Sequence, residues 1–71
     1  MNIREVFWRN VDYFIQAQDI SYYAVQTKTK LANFSKQAGE RANTTLDSVQ
    51  KIADALGIDD YSILFEVWEE E

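Results

Sequence analysis

The chain has 71 residues, 46% hydrophobic and 14% aromatic, with seven Lys and Arg against twelve Asp and Glu for a net charge of −5. That length implies one small domain over residues 1–71, yet the apolar content is too high for a disordered chain. Cysteine and histidine are both absent. Their absence excludes a disulfide scaffold, a thiolate zinc site and a thiol nucleophile, and removes the commonest metal ligand and general base.

Proline is also absent and glycine occurs only at Gly39 and Gly57. Without breakers or alternating β-branched runs, the chain reads as all-α with short connections. Asn2 is placed to cap a first helix over about residues 3–18, with Glu5 three positions on as in a capping box. Ile3, Val6, Phe7, Val11, Phe14 and Ile15 recur at helical steps and form its apolar face, while Trp8 and Tyr13 lie off the stripe at the core's edge. Ser21 caps a short second helix through Tyr22, Tyr23, Ala24 and Val25.

A third helix is expected over about residues 27–38, where Leu31, Phe34 and Ala38 share one face. Thr29, Asn33 and Lys36 then point the opposite way, flanked by Lys30 and Gln37. A rival phase that starts at Ser35 buries only Ala38 and Ala42, a weaker anchor. Thr45 caps a fourth helix with apolar positions Leu46, Val49, Ile52, Ala53 and Leu56, and Gly57 followed by Ile58 forms its stop. Asp59 or Asp60 caps a last helix through Ile63, Leu64 and Phe65 toward Val67-Trp68, and the tail Glu69-Glu70-Glu71 opposes the helix dipole and frays. The expected core is Val6, Phe7, Phe14, Val25, Leu31, Leu46, Val49, Ile52, Leu56 and Leu64.

Charge is unevenly spread. Residues 26–41 carry a net +3, from Lys28, Lys30, Lys36 and Arg41 against Glu40, whereas residues 42–71 carry −7. The charged N-terminus lacks a signal-peptide pattern, and no apolar run approaches the roughly 20 residues of a membrane span. A cytoplasmic protein without a membrane partner is the expectation.

The stretch Asn43-Thr44-Thr45-Leu46-Asp47-Ser48-Val49-Gln50-Lys51-Ile52-Ala53-Asp54-Ala55-Leu56-Gly57-Ile58 resembles the fourth helix of the Cro and lambda-repressor-like helix-turn-helix family, of the xenobiotic-response-element type. Asp59-Asp60-Tyr61-Ser62-Ile63-Leu64-Phe65 resembles that family's fifth helix, and Asn2-Ile3-Arg4 and Asp19-Ile20-Ser21 resemble the starts of its first and second. The chain departs from the family where Val25-Gln26 replaces the apolar-Ala pair, where Lys30 or Asn33 replaces the turn Gly, and at Thr44 in place of Pro. The resemblance implies a five-helix lambda-repressor-like DNA-binding domain with a helix-turn-helix. It further implies a small, prophage-type transcriptional repressor acting as a homodimer on double-stranded DNA.

The chemistry of base reading needs outward Asn, Gln, Arg or Lys, and phosphates need cations and amides. Thr29, Asn33, Lys36 and Gln37 are the expected base readers; Gln26, Lys28, Lys30 and Arg41 are the expected phosphate contacts. The bland alternative is an ordinary solvated face. An acidic protein still binds DNA when its cations face the groove, with modest salt sensitivity because few phosphates are neutralised. The other functional reading is a protein-interaction module that keeps the fold without reading DNA, an anti-repressor or partner binder, with Phe65 and Trp68 as its contact surface. Enzymatic activity is not expected, since Asp59-Asp60 and the Glu triplet have plain roles as cap and tail. No cofactor, metal or small-molecule ligand is implied.

Overall fold

The structure is a computed structural model and describes residues 2–67. Four α-helices, α1 (Ile3–Ala17), α2 (Tyr22–Thr29), α3 (Phe34–Glu40) and α4 (Leu46–Ala55), precede a 3₁₀ helix over Tyr61–Phe65. The described residues contain no strand. The all-α expectation therefore holds, with the last helix a single 3₁₀ segment that stops at Phe65; Trp68 and the Glu triplet lie outside the described residues.

The helix starts follow the polar residues that can cap them. Asn2 Oδ1 accepts from the Glu5 amide at 3.0 Å, Ser21 Oγ from Ala24 at 3.0 Å and Thr45 Oγ1 from Ser48 at 3.1 Å. Each such bond satisfies one amide that has no partner inside its helix. Asp60 opens the 3₁₀ helix, its Oδ1 accepting from the Ser62 hydroxyl at 2.6 Å and the Ser62 amide at 3.1 Å. Those two bonds, the hydroxyl first, hold its carboxyl below the usual aspartate range.

Helix α1 buries Val6, Phe7, Trp8, Asn10, Val11 and Ile15, a face wider than an amphipathic stripe. Phe7 stacks on Phe65 with ring centroids 5.4 Å apart, while the next residue, Trp8, tilts onto Phe34 at 5.7 Å. Adjacent helical residues diverge by about 100°, so the pair reaches different neighbours, the 3₁₀ helix and α3. Trp8 is 0% exposed and sits at the centre of the core, not at its edge as its position off the stripe suggests. Its indole N–H finds the acceptor a buried Trp requires in the Ala42 carbonyl.

Of the expected core, Val6, Phe7, Val25, Val49, Ile52, Leu56 and Leu64 are buried, and Phe14 and Leu31 pack against it half-covered. Leu46, expected in the core, is 84% exposed, and Ile3, expected on the apolar face of α1, is 65% exposed, because each opens its helix one turn before the packed layer begins. Phe34 and Ala38 of α3 and Ile58 after α4 also belong to the core, with Val11, Ile15 and Ala53.

Asn10 is the polar residue that sequence patterning passes over. It is buried on α1, and its Nδ2 donates to the carbonyls of Ile63 (3.3 Å), Leu64 (2.9 Å) and Glu66 (2.7 Å). Two N–H bonds thus serve three carbonyls at the end of the 3₁₀ helix, where the chain has no further turn to satisfy them.

Candidate nucleic-acid interface

Helix α2 packs on both α3 and α4. Its inner side is Val25 and Thr29. The helix ends because Lys30 turns left-handed, at φ 59°, with its amide donating to Gln26 O at 2.9 Å. Lys30 thus takes the conformation that usually selects Gly at this point of a helix. Phe34 opens α3, its amide donating to Leu31 O at 3.0 Å, so residues 30–33 form the turn. Arg41, at φ 52°, closes α3 in the same left-handed way.

The helix expected over about residues 27–38 is therefore two helices. Thr27 to Thr29 finish α2, and α3 covers Phe34–Glu40, close to the rival phase. Leu31, Phe34 and Ala38 do turn toward one core, but Leu31 does so from the turn and α3 is anchored by Phe34 as well as Ala38. Nothing in Thr29-Lys30-Leu31 marks a stop, since the left-handed residue there is a lysine.

The eight expected contact residues separate into three groups. Lys28, Lys30, Asn33 and Lys36 are exposed. Asn33 occupies the N-cap position of α3 and its amide makes no capping bond. Lys36 lies three residues on, about one turn along the outward side with Ser35 and Glu40. Gln26 and Gln37 are half-buried, and Gln26 Oε1 accepts a long bond, 3.5 Å, from the Ser35 amide across the turn. Thr29 is the correction: it is only 5% exposed. Its hydroxyl donates to Val25 O at 2.8 Å and accepts from the Leu31 amide at 3.3 Å, which stitches the turn to α2 and leaves nothing for a base.

Arg41 is occupied as well. Its Nη1 donates to Asp12 Oδ2 at 2.8 Å and to Ala38 O at 3.3 Å. The other carboxylate oxygen, Asp12 Oδ1, accepts from the Tyr22 hydroxyl. Burial, then the hydrogen bond and charge of Asp12, push the Tyr22 hydroxyl up to about 12, with Arg41 pulling the other way. The trio joins α1, the start of α2 and the end of α3 around an open cleft of about 430 Å³. It fixes where α3 sits.

Comparison with protein-family models, curated proteins and solved structures returns no match to this chain. The site therefore rests on its own geometry.

Sequence reasoning missed Lys51. It lies on α4 beside Lys28 and Lys30, and the three line one cleft of about 380 Å³ with Thr29, Asp54 and Ala55. The signal was available in part, since Lys51 is the lone cation among the eight acids of residues 42–71. Its nearness to residues 28 and 30 depends on α2 packing against α4. Among the described residues no three His, Cys, Asp or Glu side chains are grouped to hold a metal ion. No described helix is long and apolar enough to cross a membrane.

Proposed function

We propose that this protein is a sequence-specific DNA-binding regulator of the Cro and lambda-repressor-like type, with α3 entering the major groove and α2 lying over the backbone. The observation that carries this reading is the unit α2–turn–α3: two short helices joined by a four-residue turn, Lys30 to Asn33. The order of elements supports the five-helix reading, with the 3₁₀ segment standing as the fifth. A role as repressor and a two-fold dimer on a palindromic operator follow from the resemblance.

In this reading the base-facing residues are Asn33 and Lys36, with Gln37 at the margin. Asn33 carries a donor and an acceptor on one amide and so discriminates base pairs, at about 1–3 kcal/mol. Lys28, Lys30 and Lys51 supply phosphate contacts, while Gln26 holds the turn and Arg41 holds α3 in place. A protein-interaction module without DNA reading is the second possibility, favoured by Glu40 on the outer side of α3 and by the exposed Leu46.

The test is a titration against a pool of random-sequence duplexes at two salt concentrations. Wild type is expected to enrich a palindromic site, and Asn33→Ala to lose that preference. Lys36→Ala is expected to weaken binding and, where it meets a phosphate, to lower the salt slope by about one. Absence of enrichment at low salt, with protein at roughly tens of micromolar, overturns the reading in favour of the interaction module.

A further inference from the structure

Five apolar side chains from three elements border one depression of about 200 Å³: Ile3 and Phe7 of α1, Leu46 and Val49 of α4, and Phe65 of the 3₁₀ helix. Phe7 and Val49 belong to the buried core, whereas Ile3 and Leu46 are largely exposed. A single exposed apolar residue needs no explanation, but these two share one hollow with core residues. A cavity of about 150 Å³ holds benzene, so this hollow has the size of one ring with a small substituent.

Two polar side chains in the same lining lack partners. Among the described residues Arg4 is the only ionisable group that borders the depression, and it makes no ion pair or hydrogen bond there. Thr44 borders it as well, and its Oγ1 is buried without a hydrogen-bond partner among the described residues. Buried hydroxyls are normally hydrogen-bonded. Rotation about χ1 carries this one among three staggered positions and so offers it to a guest. The lining also includes Leu46 at the first turn of α4, where the helix dipole favours negative charge.

We propose that this depression binds a small carboxylic acid carrying one apolar ring. The ring packs on Phe7, Val49 and Phe65 and gives Ile3 and Leu46 the apolar cover they lack. The carboxylate pairs with Arg4 and accepts a hydrogen bond from the Thr44 hydroxyl. A cation would be repelled by Arg4, and a neutral ring would leave that charge unanswered. An inorganic anion would leave the apolar lining in water. The lining therefore selects an anion with an apolar body. No residue of α2, α3 or the turn between them takes part, so the proposal stands or falls apart from the function proposed above.

The test is a titration of the ¹⁵N-labelled full chain with sodium benzoate, followed by amide shifts. Benzoate is expected to move the amides of Thr44, Leu46, Val49 and Phe65 saturably, half-complete near about 1 mM. Benzamide, with the ring but no charge, and acetate, with the charge but no ring, are expected to bind at least about tenfold more weakly. Arg4→Gln should weaken benzoate at least about fivefold and leave benzamide unchanged, which separates lost charge from lost structure. Thr44→Val removes the orphan hydroxyl, so it should weaken benzoate without lowering thermal stability. No saturable shift by about 20 mM benzoate, equal binding of benzamide, or binding indifferent to Arg4→Gln overturns the proposal. Shifts of the same amides on diluting the ligand-free protein also overturn it, because they mark a second copy in the depression.

Discussion

The indole N–H of Trp8 donates to the Ala42 carbonyl at 2.9 Å, across 34 residues of chain. Ala42 follows Arg41, which itself binds Asp12 one turn further along α1. The two bonds hold the exit of α3 against α1 at successive points. The orientation of the outward side of α3 thus depends on residues that lie on a different helix.

Trp8→Phe removes the donor and part of the buried ring while keeping an aromatic against Phe34. The expected loss is about 2–3 kcal/mol, combining a stranded carbonyl with a small cavity. Denaturant unfolding measures it, and a loss below about 1 kcal/mol would show that the Ala42 carbonyl is satisfied by water instead.

Asn10 closes the C-terminal end of the 3₁₀ helix through three carbonyls. Asn10→Leu keeps the branched heavy-atom shape and removes both N–H donors, at an expected cost of about 2–3 kcal/mol. Asn10→Asp costs more, because it sets carboxylate oxygens against carbonyl oxygens in a buried place. Amide exchange is the sharper measurement: residues 61–66 should lose protection before α4 does.

The Tyr22 hydroxyl is raised from 10.0 to about 12, first by burial and then by Asp12. A group raised on folding contributes stability that is complete below its unfolded value. That contribution is lost as pH climbs through its folded value. Stability should therefore hold up to about pH 10 and decline between 10 and about 12. Tyr22→Phe removes the ionising group, so its stability profile should be flatter across that window. Parallel wild-type and variant profiles would show that Tyr22 does not ionise against Asp12.

Lys30 holds a left-handed conformation that costs an L side chain energy and costs glycine little. Lys30→Gly is expected to raise stability by about 0.5–1 kcal/mol. The same substitution removes a cation from the cleft shared with Lys28 and Lys51, so DNA affinity should fall as stability rises. Opposite signs for the two measurements separate the turn's conformational role from its charge.

How much was legible in the sequence can be judged residue by residue. Asn2, Ser21, Thr45 and Asp60 announce their helices because a cap is a contact between neighbours, three positions away or fewer. Gly57, at φ 72°, announces the end of α4 for the same local reason. Val49, Ile52 and Leu56 reveal the inner side of α4 through helical spacing alone. Asp19, Lys30 and Arg41 end their helices in the left-handed region without a glycine, so the division of residues 27–38 into two helices left no local mark. Tertiary packing decided the rest. Trp8 is central and Leu46 outward because α1 is enclosed on two sides while the first turn of α4 is not. Thr29 and Arg41 are taken up inside the molecule by partners that folding brings to them. Lys51 joins Lys28 and Lys30 only because α4 lies against α2. Contacts within a few residues are dictated by chain geometry, whereas contacts between helices depend on which faces meet, and that is a property of the whole fold.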